Sequence, residues 1–201
     1  MDWSHRYAQP DDRSCGAAVL VVARMVGDAA YARLLLDGRH PVTGAGVAGG
    51  SVEERFAREV LAMHRRTTGP VDVRGSLQLP WPRFLGTPPW AVARQLSGTS
   101  GRAGAAYRTH VVLPWRRRAA LDALLAAARA GHPVPLYVGN RWSPRHVVLV
   151  LDEGLATYDP ATGGRVRLRR DDFVAGRLGA GRWSVPWFVV RPPRGRPGPA
   201  R

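Results

Sequence analysis

The sequence predicts an α+β fold in which helices occupy the first half of the chain and an antiparallel sheet occupies the second. Between residues 15 and 96, apolar residues recur at helical spacing, interrupted by Gly- and Pro-rich segments. After residue 105 they instead form short, closely spaced runs separated by turn residues. The chain has 201 residues, 45% of them hydrophobic, which is enough for one well-packed core.

Four helices are predicted for the first half, and three of them have recognisable N-termini. Ser14 precedes an almost wholly apolar segment and is predicted to cap a central buried helix. Ser51 and Glu54 match a capping box, and Thr87 is predicted to cap a helix with Pro88 at its first position. The four predicted helices cover residues 15–25, 29–36, 51 onward and 87–96, with connections over 38–50 and 67–87.

The second half is predicted to form an antiparallel meander, because its strand-like runs follow one another closely. An alanine-rich amphipathic helix, ended by Gly131, is predicted over residues 116–130, between the first and second strands. A short helix is predicted over residues 171–177, before the last strand. The predicted strands cover residues 105–113, 134–138, 146–151, 155–158, 165–168 and 185–190.

A single domain is predicted over residues 1–191, followed by a tail over 192–201 whose Pro, Gly and Arg content is typical of disorder. No apolar run approaches the roughly 18 residues that a membrane span needs. The longest candidate, Ala17–Val26, contains Arg24 and lies too deep in the sequence for a signal peptide. We therefore expect a cytoplasmic protein without a membrane span.

The charge of the chain is strongly positive, with a net value of +15 carried by 30 basic residues that are all arginine. Such a field is typical of proteins that bind nucleic acid or an acidic membrane surface. The arginines are scattered, however, and accompany abundant Ala, Gly and Pro, as a GC-rich coding bias produces. A polyanion partner is therefore not favoured, although the runs at Arg116–Arg118 and in the tail leave it open.

Cys15, the single cysteine of the chain, is the first candidate for chemistry. One cysteine excludes an intrachain disulfide and a multi-cysteine metal site, and a lone cysteine is usually a small buried hydrophobe. At a helix N-terminus, however, the dipole and the free N–H groups favour the thiolate. Gly16 would let a substrate approach the backbone. Gln9, six residues earlier, is either a second oxyanion donor beside the Cys15 N–H or an ordinary surface residue.

His146 is the preferred base for Cys15, because it stands at the start of an apolar strand after a polar turn. Asp159 ends the next predicted strand, so a hairpin would place its carboxylate where it can orient the imidazole. Alternatively, Asp159 and Pro160 only start a turn. His110 lies in a similar strand context but lacks a following Asp at hairpin range. The remaining histidines are interpreted as surface or packing residues: His5, His40, His64 and His132.

These residues resemble a family, the papain-like cysteine peptidases, and within it the branch of bacteriocin-leader (double-glycine) peptidases. The segment from Gln9 to Ala18 resembles the family's Gln…Cys-Gly-Ala motif. Further similarities follow in the family's order, at Gly86–Trp90, Gly131–Val134, Arg145–Val148, Tyr158–Pro160 and Asp171–Phe173. The separation of Cys15 from His146, about 130 residues, is also typical of papain-type pairs. The resemblance implies a papain-like fold with Cys15 as nucleophile, His146 as base and acid, Asp159 as orienting residue and Gln9 as oxyanion donor.

Three functions are compatible with the sequence. The first is a thiol hydrolase that cleaves a peptide or isopeptide bond in a peptide or protein substrate through a thioester. The second is an acyltransferase or deamidase that uses the same three residues with another acceptor. The third is a catalytically decayed, basic binding module, whose salt-sensitive binding would survive loss of Cys15. No cofactor is expected, and the spacing of His, Cys, Asp and Glu residues does not indicate a metal site.

Overall fold

A computed structural model describes residues 2–39, 41–46, 50–82 and 86–193. The helical half is built on α1, Cys15–Gly27, which is buried along most of its length because nearly all of its side chains are apolar. The other helices are α2 (Ala29–Asp37), α3 (Val52–Thr68), α4 (Pro89–Gln95), α5 (Arg117–Arg129) and α6 (Arg170–Ala175). Of the described helices, none is both long and apolar enough to span a membrane. The tail predicted over 192–201 lies outside the described residues from position 194 onward.

The second half of the chain forms a six-stranded antiparallel sheet, so the predicted α+β class with helices first is confirmed. The strands are β1 (Arg108–Val111), β2 (Val134–Gly139), β3 (Pro144–Val150), β4 (Ala156–Asp159), β5 (Gly164–Arg167) and β6 (Val185–Arg191). Their order is β1-β6-β2-β3-β4-β5. The predicted meander, in which successive strands are neighbours, is therefore correct for β2 to β5. It is wrong for β1 and β6, because β6 lies between β1 and β2. The last strand pairs with both β1 and β2, because α5 separates these two in sequence and leaves the position between them open.

The sheet is covered on both faces. Val147 and Leu149 of β3 pack in the core that contains α1, whereas Val148 and Val150 pack in the core that contains α5 and α6. Because successive side chains of a strand point to opposite faces, a strand buried on both sides is apolar throughout. This explains why the central strands are continuous apolar runs in the sequence.

The N-terminal segment before α1 is held against the turn that follows β4. Tyr7 N donates to Gly163 O at 3.1 Å, and Gln9 N donates to Pro160 O at 2.9 Å. At Gly163, which has a φ of 74°, a Cβ would lie 2.7 Å from the backbone nitrogen of Ala8, so the close approach requires glycine there. These contacts fix the path of the chain into α1 beside the end of β4.

Of the predicted helix caps, the capping box formed by Ser51 and Glu54 is confirmed. Ser14 does precede α1, but its hydroxyl makes no capping bond and donates to Asp11 O at 3.3 Å. The cap predicted at Thr87 is wrong, because α4 begins one residue later, at Pro89, with Pro88 before it. A cap residue must lie next to the first turn to reach its free N–H groups.

Candidate active site

Cys15 is the first residue of α1 and is 6% exposed. It lines the same cleft as His146, and its thiol lies near enough to the imidazole to raise the pKa of that ring. The segment 7–9, which is paired to the turn after β4, leads the chain to this position. The structure thus brings together the two residues that the sequence predicted as nucleophile and base.

His146 and Asp159 form the second contact of the site. His146 Nε2 donates to Asp159 Oδ1 at 2.7 Å, and the two side chains are 7% and 1% exposed. Asp159 Oδ1 also accepts from the backbone N–H of Ala161 at 2.9 Å. The predicted hairpin produces this contact, because β3 pairs with β4 and both residues lie toward its open end. With Nε2 engaged, Nδ1 is the ring nitrogen left to face Cys15.

The protonation of the pair follows from these contacts. Burial acts to lower the pKa of His146, but the hydrogen bonds to Asp159 and Cys15 outweigh it and raise the pKa to about 9. Burial acts to raise the pKa of Asp159, but the bonds from His146 and the Ala161 N–H outweigh it and hold that pKa below its usual value. At neutral pH the imidazole is therefore cationic and the carboxyl is anionic.

A cleft of about 740 Å³ opens beside Cys15 and His146. One wall comes from the helical half and the segment that leads into α4, and the other from β2, β3, β6 and their turns. Its lining includes four aromatic side chains, those of Trp81, Tyr137, Trp183 and Phe188. Such a mixture of apolar walls and a few polar groups is typical of a substrate-binding site.

A smaller cavity of about 330 Å³ lies on the Asp159 side of His146 and contains Gln9 in its lining. Gln9 does not line the larger cleft with Cys15. Its Oε1 is buried and has no hydrogen-bond partner among the described residues. The structure therefore brings Gln9 close to the His146–Asp159 pair, and its role as an oxyanion donor stays a prediction.

Gly16 packs against the chain before α4, which differs from the role that the sequence suggested for it. A Cβ at Gly16 would lie 2.7 Å from Thr87 Cβ, which is closer than such atoms approach. Thr87 in turn accepts a hydrogen bond from Tyr137 Oη at 2.9 Å, and its hydroxyl lies 3.5 Å from His64 Nδ1. The glycine therefore allows α1 to pack closely against one wall of the cleft.

Substituting Gly16 with alanine is expected to destabilise the protein by about 1–3 kcal/mol, because the added methyl group overpacks the contact with Thr87. Chemical denaturation measures this change. Gly27→Ala is the matched control, since a Cβ there meets no atom within 4 Å. Equal stability of the two variants would contradict the packing role of Gly16.

The alternative base, His110, lies on β1 opposite Val189 of β6. Burial lowers its pKa, and its Nε2 has no hydrogen-bond partner among the described residues. It lines neither cavity that borders His146. The structure thus pairs Cys15 with His146 and not with His110.

Two of the remaining histidines have the packing role that we expected. His64 is buried on α3 beside Thr87, and His132 Nδ1 lies 3.3 Å from Tyr107 Oη. His5 is partly exposed and lies 3.5 Å from Glu53. His40 lies outside the described residues.

The loop before β6 contributes to both cavities and was not predicted from the sequence. Gly181 lies beside Asp159, where a Cβ would be 3.9 Å from Oδ2, and Arg182 and Trp183 border the cavities on both sides of His146. This loop contains small residues, one arginine and one aromatic residue, a pattern that predicts neither a strand nor a known motif. By contrast, Arg145 was detectable as the neighbour of the predicted base.

Comparison with known proteins gives no match: no family model fits the chain, and no curated protein or solved structure is significantly similar to it. The function of the chain is therefore inferred from the residues and the geometry of the site.

Proposed function

We propose that this protein is a thiol hydrolase that cleaves a peptide or isopeptide bond, with Cys15 as nucleophile and His146 as base and acid. The observation that carries the proposal is the buried hydrogen bond between His146 and Asp159, with Cys15 beside His146 in the lining of an open cleft. A cationic imidazole beside a cysteine favours the thiolate, which is the nucleophilic form. Asp159 is proposed to orient the imidazole and to stabilise its charge.

The proposed reaction has two steps. The Cys15 thiolate attacks the carbonyl carbon, and the protonated His146 transfers its proton to the leaving amine, so that a thioester and a free amine form. His146 then takes one proton from water, whose oxygen attacks the thioester and releases the thiolate and a carboxylic acid, which loses its proton to solvent. The backbone N–H of Cys15 and the amide of Gln9 are proposed to bind the oxyanion in both steps.

The finer assignment to the papain-like peptidases, and to the branch that resembles bacteriocin-leader peptidases, is part of this proposal. It is supported by the order of the sequence motifs and by their agreement with the helical half followed by a sheet. Cys15 begins the first helix, and His146 and Asp159 lie on neighbouring strands. This arrangement is the one that the resemblance implies.

The proposal is tested by alkylating the single cysteine with iodoacetamide at pH 6. An ordinary thiol with a pKa near 8.5 is only about 0.3% thiolate at that pH, so we expect Cys15 to react up to roughly 100 times faster than N-acetylcysteine. Intact mass should show one adduct per chain, and Cys15→Ser should take none. A rate equal to that of N-acetylcysteine, or lower, would contradict the proposal.

A further inference from the structure

Three arginine side chains border the cleft that contains Cys15: Arg13, Arg145 and Arg182. All three are exposed, and within the described part of the chain none of them forms an ion pair. Asp12 is the single acidic residue that lines the same cleft. Among the described residues, the lining of the cleft therefore carries three guanidinium groups and one carboxylate, an excess of positive charge.

Two of these arginines, from different segments of the chain, line both cavities that border the proposed base. Arg145 immediately precedes His146 on β3, and Arg182 belongs to the loop before β6; both line the larger cleft and the smaller cavity. The guanidinium of Arg182 lies over the Trp183 ring, 4.8 Å from its centroid. Stacking on an aromatic ring restricts a guanidinium while its N–H groups stay available to a ligand.

The charge of the site favours an anion there. Asp159 is already hydrogen-bonded to His146 and to a backbone N–H, so it does not balance the arginines. The whole protein carries +15, and a cleft with apolar walls concentrates such a field. A guanidinium binds a carboxylate through two parallel hydrogen bonds, which gives direction as well as charge.

We propose that the substrate carries an acidic side chain, Asp or Glu, close to the bond that is cleaved, and that Arg145 and Arg182 bind its carboxylate. The inference rests on the proposed thiol hydrolase function and specifies its substrate class. A peptide fits better than a nucleic acid, because the arginines border a cleft of about 740 Å³ with aromatic walls, which holds a few residues of an extended chain.

The first test compares two alkylating reagents that differ in charge, anionic iodoacetate and neutral iodoacetamide. For Cys15, the rate with iodoacetate is divided by the rate with iodoacetamide, and the result is divided by the same ratio for N-acetylcysteine. This normalised ratio measures how strongly the cleft attracts a carboxylate. We expect this ratio to fall about threefold in Arg145→Gln and in Arg182→Gln, and about tenfold in the double variant, at low salt. Arg118→Gln is the matched control, because Arg118 is exposed on α5 and lines neither cavity.

The second test asks which ligand protects Cys15 from iodoacetamide. Peptides of one sequence, amidated at the C-terminus and carrying Glu, Gln or Lys at two central positions, are compared with a single-stranded deoxythymidine oligonucleotide. We expect the Glu peptide alone to protect, and its protection to be lost in the double arginine variant. A Gln peptide with a free C-terminal carboxylate separates a side-chain carboxylate from a terminal one.

The outcomes distinguish the two proposals. If Cys15 reacts rapidly with iodoacetamide but the rate ratio does not respond to Arg145→Gln or Arg182→Gln, the substrate class is wrong and the thiol hydrolase stands. Protection by the Gln, Lys or terminal-carboxylate peptide, or by the oligonucleotide in place of the Glu peptide, also overturns the substrate class. A sluggish Cys15 overturns the hydrolase and the substrate class together.

Discussion

Replacing His146 with alanine is expected to slow the alkylation of Cys15 at pH 6 by about two orders of magnitude. The variant removes the cationic imidazole that lies beside Cys15, and a neighbouring positive charge favours the thiolate form of a cysteine. The measurement is the pH profile of the iodoacetamide rate, in which the reactivity at pH 6 should be lost.

His110→Ala is the matched control for this experiment, because His110 is the other histidine in a strand context and lies away from both cavities. Its pH profile should match that of the unsubstituted protein. If His110→Ala caused the loss of reactivity and His146→Ala did not, the assignment of the base would be wrong. Circular dichroism of each variant is used to check that the fold is retained.

Removing the carboxylate of Asp159 is expected to lower both the free energy of unfolding and the reactivity of Cys15, and it is the second-largest effect that we expect. Asp159→Ala leaves the buried His146 Nε2 and the Ala161 N–H without their acceptor. Breaking a buried charged pair from one side costs on the order of 3 kcal/mol. Asp159→Asn retains an acceptor without the charge, so its loss of stability should be smaller, and its rate of alkylation at pH 6 should lie between those of the unsubstituted protein and Asp159→Ala.

The pH dependence of this stability loss follows from the signs of the two pKa shifts. The pKa of His146 is raised from 6.5 to about 9 on folding. Its contribution to the free energy of unfolding is therefore complete below pH 6.5 and is lost as the pH rises through about 9. The pKa of Asp159 is lowered from 3.8, so its contribution to the free energy of unfolding is complete above that value and is lost as the pH falls further. Between them, from about pH 4 to 6.5, both contributions are present.

Denaturant unfolding at pH 6 and at pH 9.5 checks this directly. The difference in unfolding free energy between the unsubstituted protein and Asp159→Asn should be largest at pH 6 and should shrink by pH 9.5. If this difference in unfolding free energy grew with pH, the contact between His146 and Asp159 would not be one between an imidazolium and a carboxylate.

Patterns between residues that are close in the sequence predicted the helix that begins at Cys15 and the hairpin that carries His146 and Asp159. The apolar segment after Cys15 indicated a buried helix, and the spacing of His146 and Asp159 indicated a hairpin; both are present. The Ser51 capping box was also predictable, because its two bonds join residues within one turn.

The features that sequence reasoning missed depend on contacts between distant segments. The place of β6 between β1 and β2 is set by pairing across the whole second half of the chain, which local periodicity does not report. Thr87 looked like a helix cap because its neighbours are prolines, whereas its packing against Gly16 becomes visible only when α1 and the segment before α4 are in contact. Arg145 of β3 and Arg182 of the loop before β6 likewise come from distant segments and line the same two cavities.

The position of β6 also has a consequence for how the protein is made. During synthesis β1 to β5 leave the ribosome first, yet β1 has no partner in the sheet until residues 185–191 emerge and pair with it. The same late segment supplies Phe188, and the loop just before it supplies Arg182 and Trp183, to the cleft. A nascent chain would therefore carry Cys15, His146 and Asp159 before the cleft was complete, so the proposed hydrolysis would have to wait until the final strand is in place.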